Sequence, residues 1–318
     1  MPAPLVSVVI PNFNHAAFLR ERLRSVLGQS VSDLEVILLD DASTDQSVQV
    51  MREFAIDPRV TQVVVNKVNS GSPFHQWRKG IALACGTWVW IAESDDSCDP
   101  DLLERLLKDH AWDEVGLRYA QSQIIDQAGS RTGSMLQRTA SFTLNPFAQD
   151  LVMPGAAFVQ RFLKVKNVVP NASAVIFRRD LLTDPRIWEG TQAMRMCGDW
   201  LFWVRLASRT PVAFVAEELN YFREHAAVSR FHHTAAQQKR RLLEERLVRE
   251  ELALVPGMDQ QAEEAALYAA WSKLFAVRSW LSSEVDGIRM GGRSRVDFLL
   301  GFLRNKWSAR QAHRRRRG

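Results

Sequence analysis

Over its first hundred residues the chain alternates short apolar runs with stretches of helical period, and few folds accept that rhythm. Leu5–Ile10 (LVSVVI), Leu34–Leu39 (LEVILL), Val60–Val65 and Thr87–Ala92 (TWVWIA) read as four strands, the first ended by Pro11. Between them Phe18–Leu27 spaces Phe18, Leu19, Leu23, Val26 and Leu27 for one helix face and stops near Gly28. Ser43 or Thr44 suits the N-cap of a helix through Phe54, Phe74–Ala84 reads as a third helix, and Pro100 opens a fourth at Asp101–His110. This alternation predicts an α/β chain with a mainly parallel sheet covered by helices on both faces. Such sheets bind ligands beyond the carboxyl ends of their strands. The polar clusters fall there: Asn12-Phe13-Asn14 after the first strand, Asp40-Asp41 after the second, and Glu93-Ser94-Asp95-Asp96 after the fourth.

Farther along, the pattern is less regular. Ala174–Phe177 reads as a strand, Asp199–Ala207 as an aromatic-rich helix and Val212–Val215 as a further strand. Beyond about Thr234 the texture is helical. The expected organisation is therefore a unit over 1–234, with halves near 1–110 and 111–234, followed by a helical extension over 235–318. Charge separates them too. With ten Lys or Arg against the single acid Asp297, the last 32 residues carry +9, which leaves the preceding 286 at −4 of the formal +5. A mildly acidic body excludes a protein that tracks nucleic-acid phosphates along its length. Three unpaired cysteines, a first apolar run too short for a leader and no apolar stretch of about 18 residues imply a cytoplasmic protein that spans no membrane.

Each polar cluster admits a chemical and a structural role. Asp95-Asp96, with Glu93 upstream, could share a divalent cation such as Mg²⁺ or Mn²⁺ with substrate phosphates, or could cap the helix at Pro100. Asp41 could accept hydrogen bonds from a base or ribose, or close an Asx-turn. Asp199, beside Trp200, Leu201, Phe202 and Trp203, could be a general base with a raised pKa, or an N-cap. His225 could be a metal ligand, a phosphate contact or a surface histidine. The absence of GxxxxGK[ST] and GxGxxG weakens P-loop and dinucleotide readings.

Taken in order, these motifs resemble those of the inverting family 2 glycosyltransferases with a GT-A fold. PNFN (Pro11–Asn14) resembles the family's P-x-Y-N, and DDASTD (Asp40–Asp45) its D-D-x-S-x-D. The stretch Gly80–Leu106 resembles the approach through its D-x-D-type metal motif, and CGDWLFWVRL (Cys197–Leu206) its catalytic-base segment. NSGSPFHQWRKG and NVVPNASAVIFRRD look similar to bacterial transferases of O-antigen or other surface-polysaccharide assembly. The resemblance implies a nucleotide-diphosphate sugar donor near Pro11, Phe13, Asn14, Asp41 and Asp95. It also implies Mn²⁺ or Mg²⁺ at Asp96 with Asp95 and His225, and Asp199 as the base that deprotonates a saccharide acceptor, possibly lipid-linked. Phe13 stands where the family usually has Tyr, Gly198 where many members have Glu, and Glu93 where Asp is common. No QxxRW follows, since Leu242 succeeds Gln238–Arg241, which points away from processive synthesis. A sugar-nucleotide nucleotidyltransferase and a non-catalytic scaffold are the alternatives; PNFNHAAF lacks the Gly-rich basic loop of the former. In the tail, Phe298, Leu299, Phe302 and Leu303 are expected to share a helix face that, with the basic residues, suits an anionic membrane on the inner face of the cell envelope.

Overall fold

A computed structural model describes residues 3–108, 114–225, 234–275, 283–291 and 294–315. The expected alternation is present as β1 (Val6–Asn12), α1 (Ala16–Leu27), β2 (Leu34–Asp40), α2 (Ser47–Phe54), β3 (Val60–Val65), α3 (Pro73–Leu83) and β4 (Trp88–Ile91). There follow β5 (Ser97–Cys98), α4 (Leu102–Leu107), β6 (Leu117–Ile125), β7 (Arg131–Ser134), β8 (Leu151–Met153), α5 (Gly155–Phe158), β9 (Val175–Arg178), α6 (Gly198–Ala207) and β10 (Val212–Arg223). The C-terminal helices are α7 (Ala235–Ala253), α8 (Gln260–Leu274) and α9 (Arg295–Arg315). The expected helix end at His110 lies outside the described residues.

The strands form one sheet in the order β3-β2-β1-β4-β9-β6-β10-β5, with β7 beside β6 and β8 beside β10. From β3 to β4 all pairs are parallel, as the crossover helices require; β9 enters antiparallel between β4 and β6, and β6 runs parallel to β10. Pro11 does not end β1, which continues to Asn12. Its missing N–H faces the β4 side, where pairing stops at Val9 opposite Ile91, so no ladder bond is lost. Nor do Ser43 and Thr44 cap α2: Asp45 accepts from Ser47 N at 2.9 Å and from Ala16 N at 2.9 Å, tying the starts of α2 and α1 together.

Successive side chains of β1 alternate between two cores. Val9 joins Ile37, Leu39, Val89 and Ile91 under α3 and α6, while Val6, Val8 and Ile10 join Val36, Leu38 and Trp90 under α1, α2 and α4. Helix α7 contributes Val248 and Leu252 to the first core, so it is packed onto α6. Arg205 of α6 and Glu251 of α7 pair at 2.7 Å, and Arg249 of α7 bridges Glu245 and Glu263 at 2.7 and 2.6 Å. A third core holds α8 and α9 around Trp271, which stands 4.3 Å from the ring of Phe302 and 5.5 Å from that of Phe298.

That packing corrects the expected tail face. Phe298 and Phe302 are each 1% exposed and belong to the protein core, with Leu299 packed against it. Among the described side chains of α9, the exposed large apolar ones are Val296, Leu300, Leu303 and Trp307, spaced by four, three and four residues and hence on one helix face. Removing Phe302 (Phe302→Ala) is expected to cost about 3–5 kcal/mol, and Leu303→Ala under about 1 kcal/mol. Equilibrium urea unfolding of both variants checks this, and equal costs would contradict the assignment.

Candidate functional site

The turn after β4 is fastened from two sides. Arg22 of α1, fully buried, donates through Nε to the Glu93 carbonyl at 2.8 Å, and its Nη2 lies 3.9 Å from Asp96 Oδ2. Arg223, at the end of β10, donates through Nε to the Asp95 carbonyl at 2.9 Å and through Nη2 to Glu21 at 2.6 Å. Its own backbone N–H meets Asp96 Oδ1 at 2.9 Å, and Asn171 donates to Asp96 Oδ2 at 2.5 Å. Asp96 is thus a buried internal acceptor. Burial, then the neighbouring Asp95 charge, pushes its pKa up to about 7 against the opposing pull of Arg22.

The same fastening leaves Asp95 facing the other way. His225 Nε2 lies 2.9 Å from Asp95 Oδ2, and the ring of His15, from the start of α1, meets that of His225 edge-on at 5.4 Å. Ser94 Oγ holds His15 Nδ1 at 2.9 Å, and Phe18 stacks beside His225 at 5.1 Å. Burial works to raise the Asp95 pKa, but the His225 hydrogen bond and the two imidazole charges hold it below the usual carboxylate range. Burial, with His225 nearby, lowers that of His15. One ligand atom from each of His15, Asp95 and His225 lies within 4.8 Å of the others, the spacing of a metal-binding triad. Of the expected metal set, Asp95 and His225 are brought together with His15; Asp96 lines the same cavity, with its carboxylate held by the Arg223 amide and Asn171. His15 was missed because a lone histidine after PNFN has no ligand spacing in the sequence; only the fold sets it against residues 95 and 225.

Glu93 stays near the cluster without joining it. It accepts from Trp77 Nε1 at 2.9 Å, and burial followed by the Asp95 charge raises its pKa to about 8. Asp199 lies in the first turn of α6 rather than at its N-cap, which is Cys197. Its carboxylate accepts from Asn167 Nδ2 at 2.9 Å and from Trp200 N at 2.7 Å. A cavity of about 520 Å³ is lined by Asp199 and Asn167 together with His15, Glu93, Asp95 and His225. The triad beyond β4 and β10 and the acid of α6 therefore open onto one space. Residues 7–182 match glycosyl transferase family 2.

The chain belongs to glycosyl transferase family 2.

Within that family it is 31% identical over 129 residues to chondroitin synthase of Escherichia coli, covering 40% of this chain and 18% of that protein. It is 27% identical over 237 residues to an uncharacterized glycosyltransferase of Nostoc sp., covering 70% of this chain and 65% of the relative. The chain thus spans less than two thirds of the length of these relatives. Among solved structures it is similar to TarS of S. aureus in complex with UDP-GlcNAc, with TM-score 0.62, 17% identity, and 95% of this chain and 81% of that one covered. It is also similar to the mannosyltransferase PcManGT of Pyrobaculum calidifontis in complex with GDP-Man and Mn²⁺, with TM-score 0.51, 16% identity, and 97% and 88% covered. These likenesses establish the GT-A-type fold.

The expected nucleotide residues sit on the adjoining rim. Phe13 is 43% exposed at the end of β1, beside buried Pro11. Asn14, at φ 55°, accepts from Thr44 N at 2.8 Å and is bonded through its own N–H to Ser43 Oγ at 2.9 Å. Asp41 is buried and already accepts from Asn66 at 2.6 Å, Gln76 at 2.7 Å and the Ser70 hydroxyl at 2.7 Å, so its carboxylate organises the 66–76 loop. A contributor outside every motif is Glu244 of α7. Its buried carboxylate accepts from the backbone N–H groups of Arg195 at 3.0 Å, Met196 at 2.7 Å and Cys197 at 3.0 Å, fixing the segment that delivers Asp199. The helical extension therefore reaches into the site's framework.

Two outcomes are expected. Glu244→Ala strands three amide donors and lowers stability by about 2–4 kcal/mol, with Glu244→Gln milder, as chemical denaturation would show. Separately, the raised pKa values of Glu93 and Asp96 mean that the metal-free folded chain binds more protons than the unfolded one between their ordinary values and about 7–8. Stability should then fall as pH rises through that window. Glu93→Gln, which still offers an oxygen to Trp77, should flatten the fall in melting temperature measured from about pH 5 to about pH 8.

Proposed function

We propose that the protein transfers one sugar from a nucleotide-diphosphate sugar to a hydroxyl of a saccharide acceptor, with inversion, in bacterial surface-polysaccharide assembly. The observation that carries this is the single cavity onto which Asp199 and the His15–Asp95–His225 triad both open. Phe13 offers its exposed ring for stacking on the base, and Asp41 shapes the loop alongside it. Asp199, oriented by Asn167, takes the proton of the attacking hydroxyl as its oxygen bonds to the anomeric carbon. The bond from that carbon to the donor phosphate breaks with its electron pair on the departing nucleoside diphosphate, and one displacement inverts the centre. A divalent cation at His15, Asp95 and His225 would supply charge neutralisation of the departing diphosphate. The donor set of two imidazoles and one carboxylate fits Mn²⁺ better than Mg²⁺, which prefers oxygen alone. PcManGT carrying GDP-Man with Mn²⁺, and TarS carrying UDP-GlcNAc, support this choice of donor class and ion.

No helix among the described residues is long and apolar enough to cross a membrane. We further propose that the exposed face of α9, flanked by the basic tail, rests on an anionic membrane surface where a lipid-linked acceptor would be presented.

Asp199→Asn should lower kcat for nucleoside-diphosphate release in the presence of acceptor by about 10²–10⁴-fold with little change in donor affinity, measured over a panel of nucleotide sugars with Mn²⁺. Turnover near wild type would overturn the assignment, and release of pyrophosphate would favour a nucleotidyltransferase. For the tail, replacing Leu300, Leu303 and Trp307 by Ser should weaken sedimentation with vesicles containing phosphatidylglycerol by about tenfold or more without changing the melting temperature. Unchanged sedimentation would remove the membrane from the account.

A further inference from the structure

The walls of the cavity near Asp199 carry cations that the transfer chemistry described above does not use. Arg138, Lys166 and Arg195 all line it. They sit close to the acid along the chain or through space: Lys166 precedes Asn167, the hydrogen-bond donor to Asp199, and Arg195 lies four residues before Asp199 itself. The charges that act on Arg138 are those of Asp199 and Glu224. The Lys166 ammonium is held against the 138–142 segment: it donates to the Arg138 backbone carbonyl oxygen and to Ser141 Oγ at 2.9 Å, and lies 5.2 Å from the Phe142 ring. Among the described residues no carboxylate lies within ion-pair distance of the Arg138, Lys166 or Arg195 side chains, whereas Arg241, on the same wall, is paired with Glu245 at 2.7 Å.

On this partly desolvated wall Lys166 is shifted down by burial and then by the Arg138 charge, and burial lowers Arg138 against the pull of Asp199 and Glu224. A protein without a use for that arrangement would relieve it with a carboxylate, as α7 does throughout its Arg–Glu pairs. An incoming anion relieves it equally well, and a guanidinium beside an ammonium is well suited to phosphate or carboxylate oxygens. The donor diphosphate has its own place at the His15–Asp95–His225 triad, and Asp199 faces the acceptor. These cations therefore belong to the acceptor side.

We propose that Arg138, Lys166 and Arg195 form a subsite for an anionic group, a phosphate ester or a carboxylate, carried by the saccharide acceptor. This rests on the glycosyl-transfer reading and deepens it: the acceptor is a charged saccharide, and the subsite holds its anion so that the neighbouring hydroxyl meets Asp199.

The test is binding to the full chain with the donor site already filled by saturating Mn²⁺ and UDP, or GDP where UDP gives no thermal shift. N-acetylglucosamine, N-acetylglucosamine 1-phosphate and glucuronate are then titrated by calorimetry. One or both anionic sugars should bind at least about tenfold more tightly than the neutral one, a difference that marks phosphate or carboxylate as the anion. The double variant Arg138→Gln/Lys166→Gln should abolish that preference while keeping wild-type affinity for the nucleoside diphosphate. Arg195→Gln, whose side chain makes no hydrogen bond among the described residues, should reduce it and keeps the test open if the double variant folds poorly. Equal binding of neutral and anionic sugars by the wild type overturns the subsite, as does an anion preference that survives all the substitutions. A parallel loss of nucleoside-diphosphate affinity in the variants would assign the cations to the donor instead. If the wild type binds neither nucleotide, the glycosyl-transfer reading itself fails, and the subsite with it.

Discussion

The site depends on how one buried carboxylate is satisfied. Asp96 sits where the parallel part of the sheet gives way to the antiparallel strand β9, and it is 1% exposed. It takes an amide N–H from Arg223 and an Asn171 side chain, with the Arg22 guanidinium 3.9 Å away. Burying ionisable groups without partners costs several kcal/mol, and breaking such a pair by removing one member costs about 3–5 kcal/mol. The web is therefore kept whole, and its geometry is dictated: α1, the β4 turn, Asn171 before β9 and the end of β10 must meet at that carboxylate. Asp95, the more exposed of the pair, then meets the histidines that α1 and β10 bring with them. Arg22 stacks over Trp90 at 5.8 Å, and Arg223 over Phe18 at 5.1 Å, so the same two arginines also seat the aromatic floor.

A second constraint acts at the other end of the cavity. Asp199 begins a helix whose body is core, with Trp200, Phe202 and Trp203 buried around Trp77 and Phe177. The helix position is set by that packing, but its first turn needs the loop before it to be held. Glu244 does so from α7 with three charge-assisted bonds to backbone amides. An extension that looks separable in composition is thus joined to the catalytic framework by hydrogen bonds, by the Arg205–Glu251 pair and by shared apolar core.

Much of this was readable from residue order. The strands and helices of the first hundred residues follow from period and punctuation, because each element there is amphipathic or bounded by Gly, Pro or acidic turns. The placing of Asp95 follows from the rule that strand ends share a rim, whereas Asp199 and His225 are tied to it by the family resemblance. What was not readable depended on direction rather than position. Asp95 and Asp96 are chemically identical neighbours, and only Arg22 and Asn171, distant in sequence, decide which of them turns inward. His15 carries no local signal, since its partners are about eighty and two hundred residues away. Phe298 and Phe302 were read as anchors because an apolar face on a basic helix looks the same whether lipid or Trp271 covers it. β10 runs on to Arg223 well past Val215, because its later residues pair with β6 and β5 rather than following an apolar pattern.

The proposed cation site is formed by His15, Asp95 and His225, with Asp96 fixed in the fold by the Arg223 amide and Asn171. Pulsed electron paramagnetic resonance of Mn²⁺ bound to the full protein tests this most directly. Nitrogen couplings from two imidazoles are expected, with one lost in His15→Ala and one lost in His225→Ala. A shell of oxygen ligands alone, unchanged by either substitution, would contradict it.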